Sequence, residues 1–219
     1  MKILNLYACL GGNRYLWGDD HEITAVELDE ELARLYSERF PNDKVIVADA
    51  HQYLLDHYKE FDFIWSSPPC PTHSRARGYN TKVKTMYPDM KLYEEIIMLQ
   101  TVSKGKIPRF KGKYVVENVI PYYEPLIPAQ KISRHLYWTN FKLPVVDNIR
   151  KNPQIGHVKS ELNAFCEFHK LDRDWVDTYK GKQSKVKIVR NLVDYEIGKI
   201  IFEAAQGFKY KETSQTKLF

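Results

Sequence analysis

The sequence predicts an α/β fold, with a mostly parallel central sheet covered by helices on both faces. Three observations predict it. Five short apolar runs, at residues 2–8, 23–28, 44–49, 61–67 and 113–119, have the length and composition of buried strands. Segments with helical spacing stand between them, and strand–helix alternation implies a parallel sheet. The 219 residues, 43% hydrophobic and 28% charged, suffice for one sizeable core.

Taken in order, "KILNLYA" runs straight into Gly11-Gly12, and so reads as a first strand rather than a signal peptide. "ITAVEL" ends in Glu27 and Leu28, and "EELARLYSERF" follows as a helix. "KVIVAD" ends at Asp49 and leads through Ala50 into the helix "QYLLDHY". "FDFIWSS" stops at Pro68-Pro69-Cys70, because proline removes a ladder donor and restricts its predecessor. "MKLYEEIIMLQTVSKG" is helical, "KYVVENV" is a strand, and "HLYWTNFKL" (135–143) is a further strand. Ile197, Ile200, Ile201, Ala204 and Ala205 share one face of a last helix. Residues 144–188 are polar and basic, an inserted segment in which "SELNAFCEFHKLDRDWVDTY" holds one or two helices. Residues 209–219 read as a frayed tail.

No apolar run is long enough to span a membrane. Cys9, Cys70 and Cys166 are too scattered for a disulfide frame or a zinc site, so reduced thiols in a cytoplasm are expected. The net charge of +5 fits a polyanion partner. Two stretches carry cations without acids: Arg75, Arg77, Lys82 and Lys84, then Lys180, Lys182, Lys185, Lys187 and Arg190. Each is either a nucleic-acid contact or a solvated loop.

Ligands of open α/β sheets sit at the carboxyl ends of strands. There Gly11-Gly12 offers close backbone approach or a tight turn, and Glu27 a ribose acceptor or an acid before a helix. Asp49 offers an acceptor for an adenine amine or a helix cap. On consecutive strands, together, they point to an adenosine-bearing cofactor. Cys70, bracketed by prolines and followed by basic residues, is a nucleophile or a structural thiol. Glu117, after apolar residues at a strand end, is a desolvated acid able to donate to a ring nitrogen, or the partner of a lysine.

In this order the motifs resemble those of the cytosine-5 DNA methyltransferases. "NLYACLGGNR", "AVELDEEL" and "ADAHQYL" look like the first three motifs, and "SSPPCPTHS" like the proline-cysteine motif. "VVENV" looks like the Glu-Asn-Val motif, "SRHLYWTNF" like the arginine-bearing strand, and "VRNLVDYEIGKIIFEAA" like the last motif. The resemblance covers residues 3–142 and 189–205. It implies the Rossmann-like fold of S-adenosylmethionine-dependent methyltransferases, a catalytic domain over 1–143 and a reduced target-recognition segment over 144–188. A helix over 189–208 then returns to the catalytic domain. Such a short chain suggests a phage-like or orphan member.

The resemblance also implies a reaction. Cys70 would add to C6 of a flipped-out cytosine in double-stranded DNA, Glu117 would protonate the ring nitrogen, and C5 would take the methyl group of S-adenosylmethionine. Ala8, Cys9, Leu10, Gly11 and Gly12 would line the methionine end, with Pro69, Asn191 and Val193 closing the site. Glu27 would take the ribose, Asp49 the adenine amine, and Leu28 and Ala50 would flank the ring. Ser74, Arg75, Arg77, Lys82, Lys84, Lys185 and Lys187 would contact nucleic acid. Cys9 replaces the usual first glycine, Pro71 follows the nucleophile, and the Arg-x-Arg positions fall on Ser133 and His135 with Arg134 between. Arg134 or His135 then fills the arginine role. No full target-recognition domain fits between 143 and 189, so base reading would fall to "KNPQIGHVKS" and the loop after Cys70. A monomer is expected. The competing readings are a transfer-RNA methyltransferase of the same fold and a non-catalytic nucleic-acid binder.

Overall fold

The computed structural model describes residues 1–75, 84–100, 110–146, 149–153 and 158–210. Among them, seven strands form one sheet in the order β3-β2-β1-β4-β5-β7-β6. They are β1 (Lys2–Leu6), β2 (Glu22–Glu27), β3 (Lys44–Val47), β4 (Phe63–Ser66), β5 (Lys113–Val119), β6 (Gln130–Ile132) and β7 (His135–Thr139). The first five run parallel, and β7 is antiparallel to both β5 and β6. The register aligns Leu6 with Val26 and Ser66, and Glu27 with Val47, so the ligand ends of β1 to β4 lie side by side.

Both sheet faces are apolar because neighbouring strand residues are apolar in both registers. Leu4, Leu6, Ile64, Val116 and Trp138 face α2 (Ala50–His57) and α3 (Lys91–Gln100) through Leu54, Leu92, Tyr93 and Ile96. Ile3, Phe63, Trp65, Val115 and Tyr137 face the opposite way and pack on Ile197, Ile201 and Phe202 of α7 (Tyr195–Ala205). Burying a side chain of this size contributes roughly 1.5–3 kcal/mol. On the α7 side, α1 (Glu30–Arg39) covers Ala8 and Ala25 with Tyr36 and Phe40. Its amino end is capped by Asp29, whose carboxylate accepts from the amides of Glu31 and Leu32.

The sequence reading and the structure differ at the sheet edge and near the end of the chain, where the helix expected over 189–208 begins only at Tyr195, as α7, because Asp194 caps it there. The strand expected over 135–143 ends at Thr139, and a short partner, β6, precedes it across the two-residue turn Ser133-Arg134. Ser133 adopts a left-handed φ of 54°, as tight hairpin turns require. Three residues are too few for alternation to announce a strand. Within the inserted segment, "SELNAFCEFHKLDRDWVDTY" spans two helices, α4 (Val158–Phe168) and α5 (Arg173–Asp177), and α6 (Lys185–Arg190) follows. Their apolar side chains, Leu162, Phe165, Val176, Ile188 and Val189, share one cluster with Leu10, Leu32 and Leu35. The segment therefore packs on α1 and on the loop after β1.

Candidate active site

The loop leaving β1 turns sharply. Tyr7, Cys9 and Gly11 all have left-handed φ, at 55°, 47° and 67°. Glycine takes this conformation freely, whereas Tyr7 and Cys9 hold it at a cost of roughly 1–2 kcal/mol each. Cys9 thus occupies a glycine-like backbone position. Gly12 is small for a different reason: a Cβ there would lie 2.5 Å from the Val193 carbonyl oxygen. The chain following α6 therefore closes against the loop at Leu192 and Val193, and Asn191 caps α6 beside it.

Glu27 organises this corner. One carboxylate oxygen accepts from the Cys9 amide at 2.9 Å; the other accepts from the amides of Leu28 and Asp29 at 2.9 and 3.0 Å. Burial raises its pKa, and the three amides work against that rise. Leu28, next to it, leaves 67% of its surface exposed, an apolar shelf at the end of β2. Asp49 caps α2 with one oxygen, accepting from His51 and Gln52, while the other oxygen is 3.7 Å from Lys91 Nζ. Its pKa is lowered, first by the Gln52 amide. Ala50, beside it, is buried.

Pro68-Pro69-Cys70 leaves β4 toward β5. Pro69 is exposed, Cys70 partly so, and Pro68 donates no hydrogen bond but accepts one at 2.9 Å from the Asn118 side chain. Asn118 lies in β5 next to Glu117, so one residue ties the cysteine loop to the strand carrying the acid. Beyond Cys70 the loop is held from three directions. The Cys70 carbonyl accepts from the His73 and Ser74 amides, the Thr72 hydroxyl accepts from the Asp89 amide, and buried His73 meets the Tyr123 hydroxyl at 2.6 Å. Ser74 bridges to Pro121, whose carbonyl accepts from Arg75 Nε at 3.1 Å.

Cys70, Glu117 and two arginines form one electrostatic site. Glu117 is 7% exposed, and burial pushes its carboxyl up to about 7, with a Ser67 hydrogen bond and Arg134 opposing the rise. The Cys70 thiol is raised by burial and by Glu117; Arg134 and Arg190 lower it. His135 Nε2 sits 3.6 Å from Glu117, beyond hydrogen-bond distance, and burial drives its pKa down to about 3. His135 is therefore neutral near pH 7, and Arg134 carries the positive charge facing Glu117 and Cys70. The site holds one negative charge readily and two poorly.

Of the remaining sequence-predicted residues, Lys84 and Lys187 are exposed, and Lys185 is engaged by Asp177, 3.1 Å away. Arg77 and Lys82 lie outside the described residues. Sequence reasoning missed Glu95. This acid is 1% exposed on the apolar face of α3 and accepts from Tyr7 at 2.6 Å and Ser66 at 2.5 Å; His51 Nδ1 is 3.0 Å away. It joins the loop after β1, the first turn of α2 and the end of β4. Its signal was present: Leu92, Glu95, Ile96 and Leu99 follow a helical apolar stripe, and an acid in such a stripe needs partners. Arg190 was noted only as a member of a basic run.

Residues 1–102 match the family model described as C-5 cytosine-specific DNA methylase. Among solved structures, the methyltransferase EhMeth of Entamoeba histolytica aligns over 96% of this chain and 99% of its own, at 10% identity and a TM-score of 0.57. The likeness shows the fold, an α/β sheet layered with helices, and nothing beyond it. A DNMT2 mutant of Spodoptera frugiperda is 24% identical over 54% of this chain, with a TM-score of 0.35. The chain spans about a third of that protein's length, 35%. A search of curated proteins returned no match.

Proposed function

We propose, from the match of its first 102 residues to the C-5 cytosine-specific DNA methylase family, that the chain methylates C5 of a flipped-out cytosine in duplex DNA. Cys70 is the nucleophile in this reading and Glu117 the acid. The observation that carries it is the pairing of an accessible cysteine, at the end of β4, with a buried carboxyl raised to about 7.

The corner formed by β1, β2 and β3 fits S-adenosylmethionine. Glu27 has acceptor capacity left for ribose hydroxyls, Asp49 offers an oxygen to an adenine amine, and exposed Leu28 offers apolar surface to the ring. Ala50 flanks it, and Ala8 to Gly12, Pro69, Asn191 and Val193 complete the proposed binding set. The cofactor would supply a methyl group already activated on a sulfonium.

Cytosine C5 is a poor nucleophile until a group adds at C6. The Cys70 sulfur forms a bond to C6, and the displaced ring electrons move toward N3, where protonated Glu117 delivers its proton. The enamine so formed carries its density at C5. Once C5 carries the methyl group, a base removes the C5 proton, that electron pair re-forms the C5=C6 bond as the C6–S bond breaks with its pair going to sulfur, and the N3 proton returns to Glu117. Addition needs thiolate with neutral carboxyl, and moving one proton from Cys70 to Glu117 produces that pair without changing the site's charge. Arg134 stabilises the negative charge on either residue. Arg75, Arg77, Lys82, Lys84, Lys187 and Ser74 are proposed to meet the phosphate backbone.

The test is label transfer from S-adenosylmethionine to duplex DNA and to transfer RNA, with a 5-fluorocytosine duplex to trap the Cys70 adduct. DNA labelling with a trapped adduct is expected. Labelling of RNA alone would make the chain an RNA cytosine-5 methyltransferase, and nucleic-acid binding without adduct would make it a non-catalytic binder.

A further inference from the structure

We propose that the Arg190–Glu161 pair sets the reactivity of Cys70, with Arg190 acting as a positioning residue. The proposal rests on Cys70 being the nucleophile. Arg190 is the last residue of α6, where helix carbonyls lack internal partners. Its carbonyl accepts from Arg134 Nη2 at 3.0 Å, so a cation caps the negative end of the helix. That bond fixes the guanidinium facing Glu117 and Cys70. The Arg190 side chain is held in turn, with Nη1 3.2 Å from Glu161 Oε1 on α4. Glu161 is 4% exposed, and it draws Arg190 into a partly buried position.

Glu117 on β5, Arg134 in the β6–β7 turn and Arg190 on α6 act on the sulfur, and Glu161 on α4 extends the row beyond Arg190, so two cations stand between two acids. His135, next to Glu117, is neutral. Two guanidiniums so close repel each other, and the acid at each end of the row offsets that repulsion. With Glu117 protonated the row carries one net positive charge, and a Cys70 thiolate neutralises it. Without Arg190 the same thiolate would face a row of no net charge ending in an unpaired buried carboxylate, which disfavours it. Without the Glu161 charge the row would favour the thiolate more strongly.

These opposite signs make the test. The full-length chain, without cofactor or nucleic acid, is alkylated with iodoacetamide between pH 6 and 10, and Cys70 modification is followed by peptide mass spectrometry. Only the thiolate reacts, so moving the profile along the pH axis by one unit changes the rate at neutral pH about tenfold. Arg190→Gln should move the profile to higher pH and slow Cys70 alkylation at pH 7.5 by several-fold or more; Arg190→Lys should restore most of the rate. Glu161→Gln should move the profile to lower pH. Superimposable profiles for Arg190→Gln and the parent would overturn the proposal, as would a displacement of both variants in one direction. If Arg190→Gln does not fold, an unchanged Glu161→Gln profile is sufficient to overturn it. The readout needs no methyl transfer, so failure of the proposed function and failure of this coupling are separately visible.

Discussion

Glu117→Gln should stabilise the folded chain at pH 8 and change it much less at pH 5. The carboxyl is buried and its pKa rises from 4.5 to about 7 on folding, chiefly through desolvation. A pKa difference of one corresponds to about 1.4 kcal/mol. Below pH 4.5 both folded and unfolded chains hold the proton, and the acid imposes no penalty. Between 4.5 and 7 the unfolded chain releases it first, so stability falls as pH rises; above 7 the whole difference is present. That amounts to about 1 kcal/mol at pH 5 and about 3 kcal/mol at pH 8. Glutamine keeps the shape without the charge, so the variant recovers this penalty. Urea unfolding at the two pH values measures it. A stability change equal at both pH values, or a loss at pH 8, would refute the desolvated acid and with it the poised proton donor.

Other outcomes follow from the same geometry. Cys70→Ala should abolish methyl transfer while S-adenosylhomocysteine affinity, read by calorimetry, stays nearly unchanged; equal loss of both would make the thiol structural. Arg134→Ala should lower the methyl-transfer rate about a hundredfold or more, the order found when a preorganised charge stabiliser is removed. Gly12→Ala places a Cβ 2.5 Å from the Val193 carbonyl, so it should destabilise the fold by about 1–3 kcal/mol in urea and weaken cofactor binding. Glu95→Ala leaves the partners of a buried carboxylate unsatisfied and should cost about 3 kcal/mol or more. Nucleic-acid affinity should fall linearly in log–log with salt concentration if the basic residues touch phosphates.

The parallel strands were legible because each is apolar in both registers, as in Phe63-Ile64-Trp65 and Val115-Val116. The strand-end acids were legible as positions and left open as roles. Asp49 is a cap and has a second oxygen to spare, so the cap leaves its other reading open. Glu27 is more occupied than an exposed acid before a helix would be, with three amides on its carboxylate. What the sequence hid was pairing across distance. Arg190 looked like one more lysine-run cation, yet Glu161 lies 29 positions earlier and Arg134 lies 56. No local period connects them. Which of Arg134 and His135 keeps its charge was equally hidden, because it turns on burial: a buried imidazole loses its charge and a guanidinium keeps it.

The segment between β7 and α7 bears on where nucleic acid would be held in the proposed reading. Its apolar faces are committed to α1 and to Leu10 in the loop after β1. Cations of the segment are committed as well, Arg150 to Asp194 and both Arg173 and Lys185 to Asp177, and Arg190 just after it is held by Glu161. A segment anchored in this way transmits position: it carries Leu192 and Val193 to Gly12 and the Arg190 carbonyl to Arg134. The loop after Cys70, in contrast, is stapled at its base to Pro121, Tyr123 and Asp89 and presents Arg75 at the surface. In the proposed reading nucleic acid lies over Cys70 and meets that loop, while α4 to α6 pack their apolar faces on α1 and on the loop after β1. On this geometry Arg75→Ala should weaken duplex binding and reduce its salt slope by about one, whereas Lys185→Ala should alter neither. Fluorescence-anisotropy titrations across a salt series decide it, and an equal effect of the two substitutions would return the reading role to the helical segment.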